Sequence, residues 1–179
     1  MGPYASEGDR AVALVKKLPV SEPPRVLTIE DIDLRGAIED AFRALEATTL
    51  LIDGVLEALQ EAREITRLAC RADARAKRGL LVHRYETLTE TIGAALTKLA
   101  NGPIASGNAA LAITLAQTGM ADDELMFDLP ASLGNTSAEA RETLAALEAA
   151  MRATEIYAGH FRETAHHLVE HRAQTQTRH

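Results

Sequence analysis

Histidine is concentrated near the C-terminal end of the sequence, where it could hold a transition metal. His167 and His171 are four residues apart, which places two imidazoles on one face of a helix, and His160 lies one heptad before His167. Glu163 and Glu170 offer carboxylate oxygens in the same stretch. A two-histidine pair on one helix binds metal weakly unless a second element adds a ligand, and the sequence assigns none. A solvated helix face is the favoured interpretation, so we predict no metal site.

Other groups that could do chemistry are isolated. Cys70 is the single cysteine, which excludes an intramolecular disulfide, and no histidine or carboxylate is placed beside it to activate the thiol. The stretch "LANGPIASGN" lacks the spacing of a phosphate-binding loop. Basic residues at 71–78 lie where a helix is predicted to end, a position that the helix dipole favours. We therefore predict a protein that is not an enzyme, with no catalytic residue, no cofactor and no small-molecule substrate.

The composition favours packed helices. The chain has 179 residues, 46% hydrophobic and only 3% aromatic, and its apolar content is mostly Ala and Leu. A net charge of -7 argues against nucleic acid as a partner. No apolar run approaches the roughly 20 residues that cross a bilayer, so no membrane association is predicted. No signal-peptide core is visible at the N-terminus, which favours a cytoplasmic protein unless export uses another route.

The chain divides into three parts. We predict a Pro-containing arm over 1–27, a helical core domain over 28–174, and a frayed tail over 175–179. Within the core, a long helix runs from near Ile29 to about Cys70, a polar reversal follows at 71–79, and a second helix covers 80–99. Thr136 and Glu139 form a capping box that opens the last helix.

Apolar residues in these helices alternate at spacings of four and three, the period of a coiled-coil seam. The predicted core seam consists of Phe42, Leu45, Ile52, Leu56, Leu59, Leu88, Ile92, Leu144, Leu147, Met151, Phe161 and Leu168.

Between the second and last helices the apolar period changes to two. Residues 111, 113 and 115 alternate with small or polar residues, as do 125, 127 and 129, and a Gly- and Asp-containing stretch separates the runs. Two such runs predict a β-hairpin at about 110–129. The predicted fold class is mainly α, an elongated three-helix coiled-coil-like bundle with one small β-hairpin.

The order of these elements resembles the core helical domain of bacterial flagellin over about residues 37–170. The motifs that carry the resemblance are "LQEAREITRLA" at 59–69, the polar turn "CRADARAKR", the Asn101-Gly102 pair, "LAITLAQTGMADDELMFDL" at 111–129 and "LEAAMRATEIYAGHF" at 147–161. The junction proteins between hook and filament share this plan. The chain departs from the family at both ends, because the arm has no long heptad run and little follows the last seam residue, so the terminal polymerisation segments are lacking.

The resemblance implies a structural subunit or accessory component of the bacterial flagellar filament that acts through helix packing. Its partners would be other flagellar or flagellin-like subunits, and it would reach the cell exterior through the flagellar export apparatus. The outer charges of the long helix would then face adjacent subunits; this interaction surface comprises Gln60, Glu61, Arg63, Glu64 and Arg67. The alternative is a cytoplasmic helical interaction module, a regulator or chaperone of flagellar proteins, and a His-rich metal-binding protein is the third possibility.

Overall fold

Three helices make up most of the part of the chain that the structure describes. The computed structural model describes residues 24–71, 76–101, 111, 114–115 and 125–177, with side chains from Arg35 onward except at 175 and 176. Helix α1 spans Pro24–Ala69, α2 spans Arg78–Ala100 and α3 spans Ser137–Gln176. Helix α1 begins with Pro24 rather than near Ile29, a position where proline is favoured because the first helical N–H has no partner within the helix. The predicted arm up to residue 23 lies outside the described residues.

The mainly α character is correct, but the predicted β-hairpin is wrong. Leu111, Thr114 and Leu115 are helical, and the residues from Leu125 to Pro130 have no regular secondary structure, so the described residues contain no strand. Ile113 and the predicted turn lie outside the described residues. Leu111, Thr114 and Leu115 are all buried, and their spacing of three and four residues defines one face of a helix. A short apolar run fits both periods, and here the helical one applies.

In the second segment of the predicted hairpin, side-chain burial alternates from one residue to the next. Leu125, Phe127 and Leu129 are half-buried, whereas Met126 and Asp128 between them are exposed. The segment therefore presents one side to the protein and one to solvent, as a strand would. It has no partner strand in the described part of the chain, and so it does not form a sheet.

The described residues belong to two compact units, and α1 and α3 contribute to both. The first unit takes its described residues from Met1–Thr48, Asn101–Glu124 and Gly159–His179. Its core contains Ile38, Ala41 and Leu45 of α1, Leu111 and Leu115, and Phe161 and Leu168 of α3. Arg172 joins the two helices at the edge of this core, because its guanidinium lies 3.2 Å from Glu39 and 5.9 Å from the centre of the Phe42 ring.

The second unit consists of Thr49–Ala100 and Leu125–Ala158. All three helices pack together here, as a helical bundle. Its largest fully buried side chains are Ile52, Val55, Leu59, Thr66, Tyr85, Ile92, Leu133 and Leu147. Alanines of α1 and α3 are also buried in this core, among them Ala58, Ala62, Ala140 and Ala150.

The predicted seam residues lie on the inner faces of the helices. Nine of the twelve are buried, and Phe42, Leu56 and Leu144 are half-buried. Threonine occupies several further core positions, and each of these hydroxyls donates to the carbonyl four residues earlier at 2.7–3.1 Å: Thr48, Thr66, Thr143, Thr154 and Thr164. The hydrogen-bonding capacity of these buried hydroxyl donors is therefore used within their own helices.

Candidate interaction surface

The outward charges of α1 that the sequence marks as an interaction surface also connect helices within the second unit. Arg84 of α2 donates from Nε and Nη2 to Oε1 of Glu61, at 2.8 and 2.6 Å. Both groups are about half exposed, so water screens the pair and its contribution to stability is modest. Glu61 thus joins α1 to α2, in addition to any contact with another molecule.

The other residues of this surface form a second charge group. Glu64 accepts from Arg67 at 3.0 Å and lies 3.5 Å from Arg63, while Arg67 also lies 4.0 Å from Glu148 of α3. Gln60 is exposed. In both Glu61 and Glu64, the oxygen that makes these arginine contacts is Oε1. The second oxygen of each carboxylate therefore has no partner among the described residues and can accept a further donor.

Arg78 connects the ends of three helices. It is the first residue of α2, and its Nη2 donates to the carbonyl of Ala69 at 3.2 Å and to that of Thr136 at 2.9 Å. A cation at the C-terminal end of α1 is favoured by the helix dipole, which is the role predicted for this basic stretch. The contact with Thr136 was not predicted, because nothing in the sequence signals a pairing 58 residues away. Arg78 therefore holds the start of α3 beside the end of α1.

The predicted capping box at the start of α3 is confirmed. The N–H of Glu139 donates to Oγ1 of Thr136 at 3.2 Å, and Oε2 of Glu139 accepts from the N–H of Thr136 at 2.9 Å. The same oxygen accepts from the N–H of Asn135 at 2.7 Å and from the Thr136 hydroxyl at 3.0 Å. The Asn135 bond is the largest of the causes that lower the pKa of Glu139, followed by the bonds from Thr136 and the charge of Arg78.

Glycine is required just before this cap. Gly134 has a φ of 71°, and a Cβ there would lie 2.6 Å from Cβ and from Oε2 of Glu139. Gly134→Ala is therefore expected to lower the free energy of unfolding by about 1–2 kcal/mol from the left-handed backbone alone, and by more through the contact with Glu139. Urea denaturation followed by circular dichroism measures this. The matched control is Gly93→Ala in α2, where a Cβ meets nothing within 4 Å, and a gain of about 0.5–1 kcal/mol is expected. Equal effects of the two substitutions would contradict this account.

Acid should weaken the cap of α3. The folded-state pKa of Glu139 lies below its ordinary value of 4.5, so its contribution to stability is present above that value and is lost as pH falls through the folded pKa. Glu139→Gln keeps an oxygen acceptor but removes the titration. We expect the melting temperature of the variant to fall less than that of the wild type between pH 7 and pH 3. Parallel pH profiles of the two proteins would exclude Glu139 as a contributor.

Tyr85 fixes the segment from Leu125 to Pro130 to the bundle. Its ring is fully buried in the second unit, and its hydroxyl donates to the carbonyl of Pro130 at 2.8 Å. Burial raises the pKa of Tyr85 to about 12, so the hydroxyl keeps its proton under ordinary conditions. The buried Leu133 follows three residues after Pro130. These contacts hold the residues that lead into α3 against α2.

The histidines of α3 do not form a site in the described residues. His166 Nε2 and His167 Nδ1 each lie 3.4 Å from an oxygen of Glu170 on the same helix. His171 is half-buried, and Nδ1 of the half-buried His160 lacks a hydrogen-bond partner in the described part of the chain. No group of three potential ligands that could hold a metal occurs among the described residues. The weak metal candidates His160, His167 and His171 are not brought together with a second element there.

Six large apolar side chains remain exposed on the helices and on the segment from Leu125 to Pro130: Leu50, Leu68, Leu80, Met126, Ile156 and Val169. Cys70, directly after α1, is half-buried with a free thiol. None of the described helices combines the length and apolar character needed to cross a membrane. In comparison with known proteins, no family model, no curated protein and no solved structure matches the chain.

Proposed function

We propose that this protein is a non-enzymatic structural component that acts through helix packing, as a flagellin-like subunit or accessory protein of the bacterial flagellar filament. The observation that carries the proposal is the distribution of polar groups in the described residues. Buried hydroxyls are bonded within their helices, and the cap and Tyr85 engage their own chain. What faces outward is helix surface with charges and exposed apolar side chains, which suits packing against another protein.

The flagellar assignment is supported by the sequence motifs rather than by the fold alone. The hairpin, one of the five motifs in the resemblance, is absent from the described residues. The other four are sequence motifs: the motif at 59–69 lies on α1, the polar stretch 70–78 connects α1 to α2 in the sequence, α2 ends beside Asn101, and the motif at 147–161 lies on α3. On this proposal the partners are flagellar subunits and the location is the cell exterior.

A cytoplasmic module that binds flagellar proteins is the second candidate. The exposed Leu50 and Leu68 favour it, since they lie 18 residues apart on the same outward face of α1. Such a face suits docking of a single partner helix as well as incorporation into an assembly.

Cell fractionation separates the two candidates. In the native organism we expect the protein in sheared extracellular filaments, and we expect it to stay inside cells whose flagellar export apparatus has been deleted. A protein that is cytosolic in both strains and captures flagellar proteins in a pull-down would support the second candidate. If it is cytosolic and captures no flagellar component, both candidates fail.

A further inference from the structure

The outward face of α1 in the second unit carries a regular stripe of exposed side chains. Asp53, Glu57, Glu61, Glu64 and Leu68 are all exposed and lie opposite the buried face that contains Leu59 and Thr66. Their spacing of four, four, three and four residues keeps them on one side of the helix. We call this set the acidic stripe. It presents four carboxylates followed by one apolar side chain.

Helix α3 carries a matching stripe in the same unit. Arg141, Ala145, Ala149, Arg152 and Ile156 are all exposed, and they lie opposite the buried face that contains Leu147 and Thr154. We call this set the arginine stripe. Its spacing is also four, four, three and four, so that a parallel alignment pairs the two stripes residue by residue.

The chemistry of the two stripes is complementary in that alignment. Arg141 stands level with Asp53, Arg152 with Glu64, and Ile156 with Leu68. The charge pairs at both ends are 11 residues apart, about 16 Å along each helix. Ala145 and Ala149 oppose Glu57 and Glu61, and their small side chains would allow close approach of the helices.

Several of these charges are left without an ion pair in the part of the chain that the structure describes. Asp53, Glu57, Arg141 and Arg152 make no ion pair with any residue that the structure describes. The antiparallel alignment is less favourable, because it keeps one opposite-charge pair, Glu57 with Arg152, instead of two. It also places Leu68 against Arg141 and Ile156 against Asp53. The match therefore specifies a direction as well as a pair of surfaces.

We propose that the acidic stripe of one molecule binds the arginine stripe of a second copy of this chain, with the two helices parallel. This inference rests on the proposed function, since it names the partner and surface through which subunits would pack. Within one molecule α1 and α3 run antiparallel in this unit, because Arg78 bonds both the end of α1 and the residue before α3. The parallel contact is thus one between molecules. Because the two surfaces differ, the contact is heterologous and can repeat beyond a dimer.

A contact one helix wide is smaller than a standard interface, so weak association is expected. Sedimentation velocity over a concentration series in low salt measures it. We expect Asp53→Arg and Arg141→Asp to weaken self-association at least about tenfold each, because each places like charges together. A mixture of the two variants should restore association, since arginine at 53 then faces aspartate at 141. Glu90→Arg, an exposed charge reversal on α2, is the matched control and should leave association unchanged.

Cross-linking tests the register. Cys70→Ala removes the native thiol, and Leu68→Cys and Ile156→Cys are then introduced in separate molecules. Mild oxidation should join the two variants as a mixed dimer, because the aligned positions fall within disulfide reach. Leu80→Cys, on α2 and more exposed than either position, should form a disulfide with neither variant.

The proposal fails if the wild type stays monomeric at millimolar concentration, if the mixed variants do not recover association, or if Leu80→Cys cross-links as well as Ile156→Cys. Either of the first two results would mean that a second copy of this chain is not the partner of the stripes. None of these results bears on fractionation, so the proposed function can stand where this contact fails. If the protein self-associates but is found only in the cytosol, the proposed contact stands and the proposed extracellular role fails.

Discussion

Replacing Tyr85 by Ala is expected to lower the free energy of unfolding by about 3–5 kcal/mol, the range measured when a buried aromatic residue is truncated. Tyr85 is fully buried and is the largest of the completely buried side chains. Its removal leaves a cavity between α2 and the segment that leads to α3. It also leaves the carbonyl of Pro130 without its donor, 2.8 Å away in the wild type. The two losses act on the same contact and should not be treated as independent.

Tyr85→Phe separates the ring from the hydroxyl. It keeps the packing and removes only the hydrogen bond, so we expect a loss of about 1 kcal/mol. Urea denaturation gives both values, and Thr91→Ala on the exposed face of α2 is the control, with little change expected. If Tyr85→Phe were as damaging as Tyr85→Ala, the hydroxyl rather than the ring would account for the stability. If both variants matched the wild type, the segment from Leu125 to Pro130 would not depend on Tyr85.

The helices could be predicted because their signal is repeated. Seam residues recur over many turns of α1 and α3, so a single misplaced position changes little. At one position the pattern does mislead: Thr48, not the neighbouring Thr49 that continues the four-three spacing, is buried. A threonine can occupy the core when its hydroxyl bonds the preceding turn, as that of Thr48 does with the carbonyl of Ala44 at 2.8 Å. Hydrophobicity alone gives no sign of this arrangement.

The hairpin prediction was wrong because its signal was short and not repeated. Each of its two runs offered only three alternating apolar residues, and Leu111 and Leu115 are as far apart as one helical turn. Ala at 112 and 116 adds helix propensity to the first run. A strand also needs a partner, and pairing is decided by contacts distant in sequence rather than by the run itself. The exposure of the side chains at Leu125–Leu129 follows the alternation of the sequence, but the predicted sheet is absent from the described residues.

The outward position of the candidate surface residues could be predicted, but the contacts they make within the protein could not. The outward direction of Glu61, Glu64 and Arg67 follows from their offset to the seam, but their contacts with Arg84 and Glu148 join different helices. Such pairs depend on how the helices are aligned along one another, and the seam pattern does not determine that alignment. The same limit applies to Arg78, whose acceptors belong to two other helix ends. Local signals such as the capping box are more predictable because both partners lie within four residues.

Truncation of a leucine to alanine should cost much more stability on the inner face of α1, at Leu59, than on its outer face, at Leu68. Leu59 is fully buried in the second unit, whereas Leu68 is 43% exposed. Leu59→Ala is expected to lower the free energy of unfolding by about 2–5 kcal/mol, because it removes transfer free energy and leaves a cavity that the neighbouring helices can fill only in part. Leu68→Ala should change it by no more than about 0.5 kcal/mol. Both are leucine-to-alanine changes in one helix, so propensity effects cancel in the comparison.

Stability and association should respond in opposite ways to these two substitutions. Leu59→Ala weakens the fold and leaves the acidic stripe intact, so any self-association of the remaining folded molecules should keep its wild-type strength. Leu68→Ala leaves the fold intact and removes the apolar end of the stripe, so association should weaken. Urea denaturation and sedimentation velocity on the same samples measure the two quantities. A Leu68→Ala variant that unfolds as readily as Leu59→Ala would mean that Leu68 belongs to the core, and the outward direction assigned to the whole stripe would then be wrong.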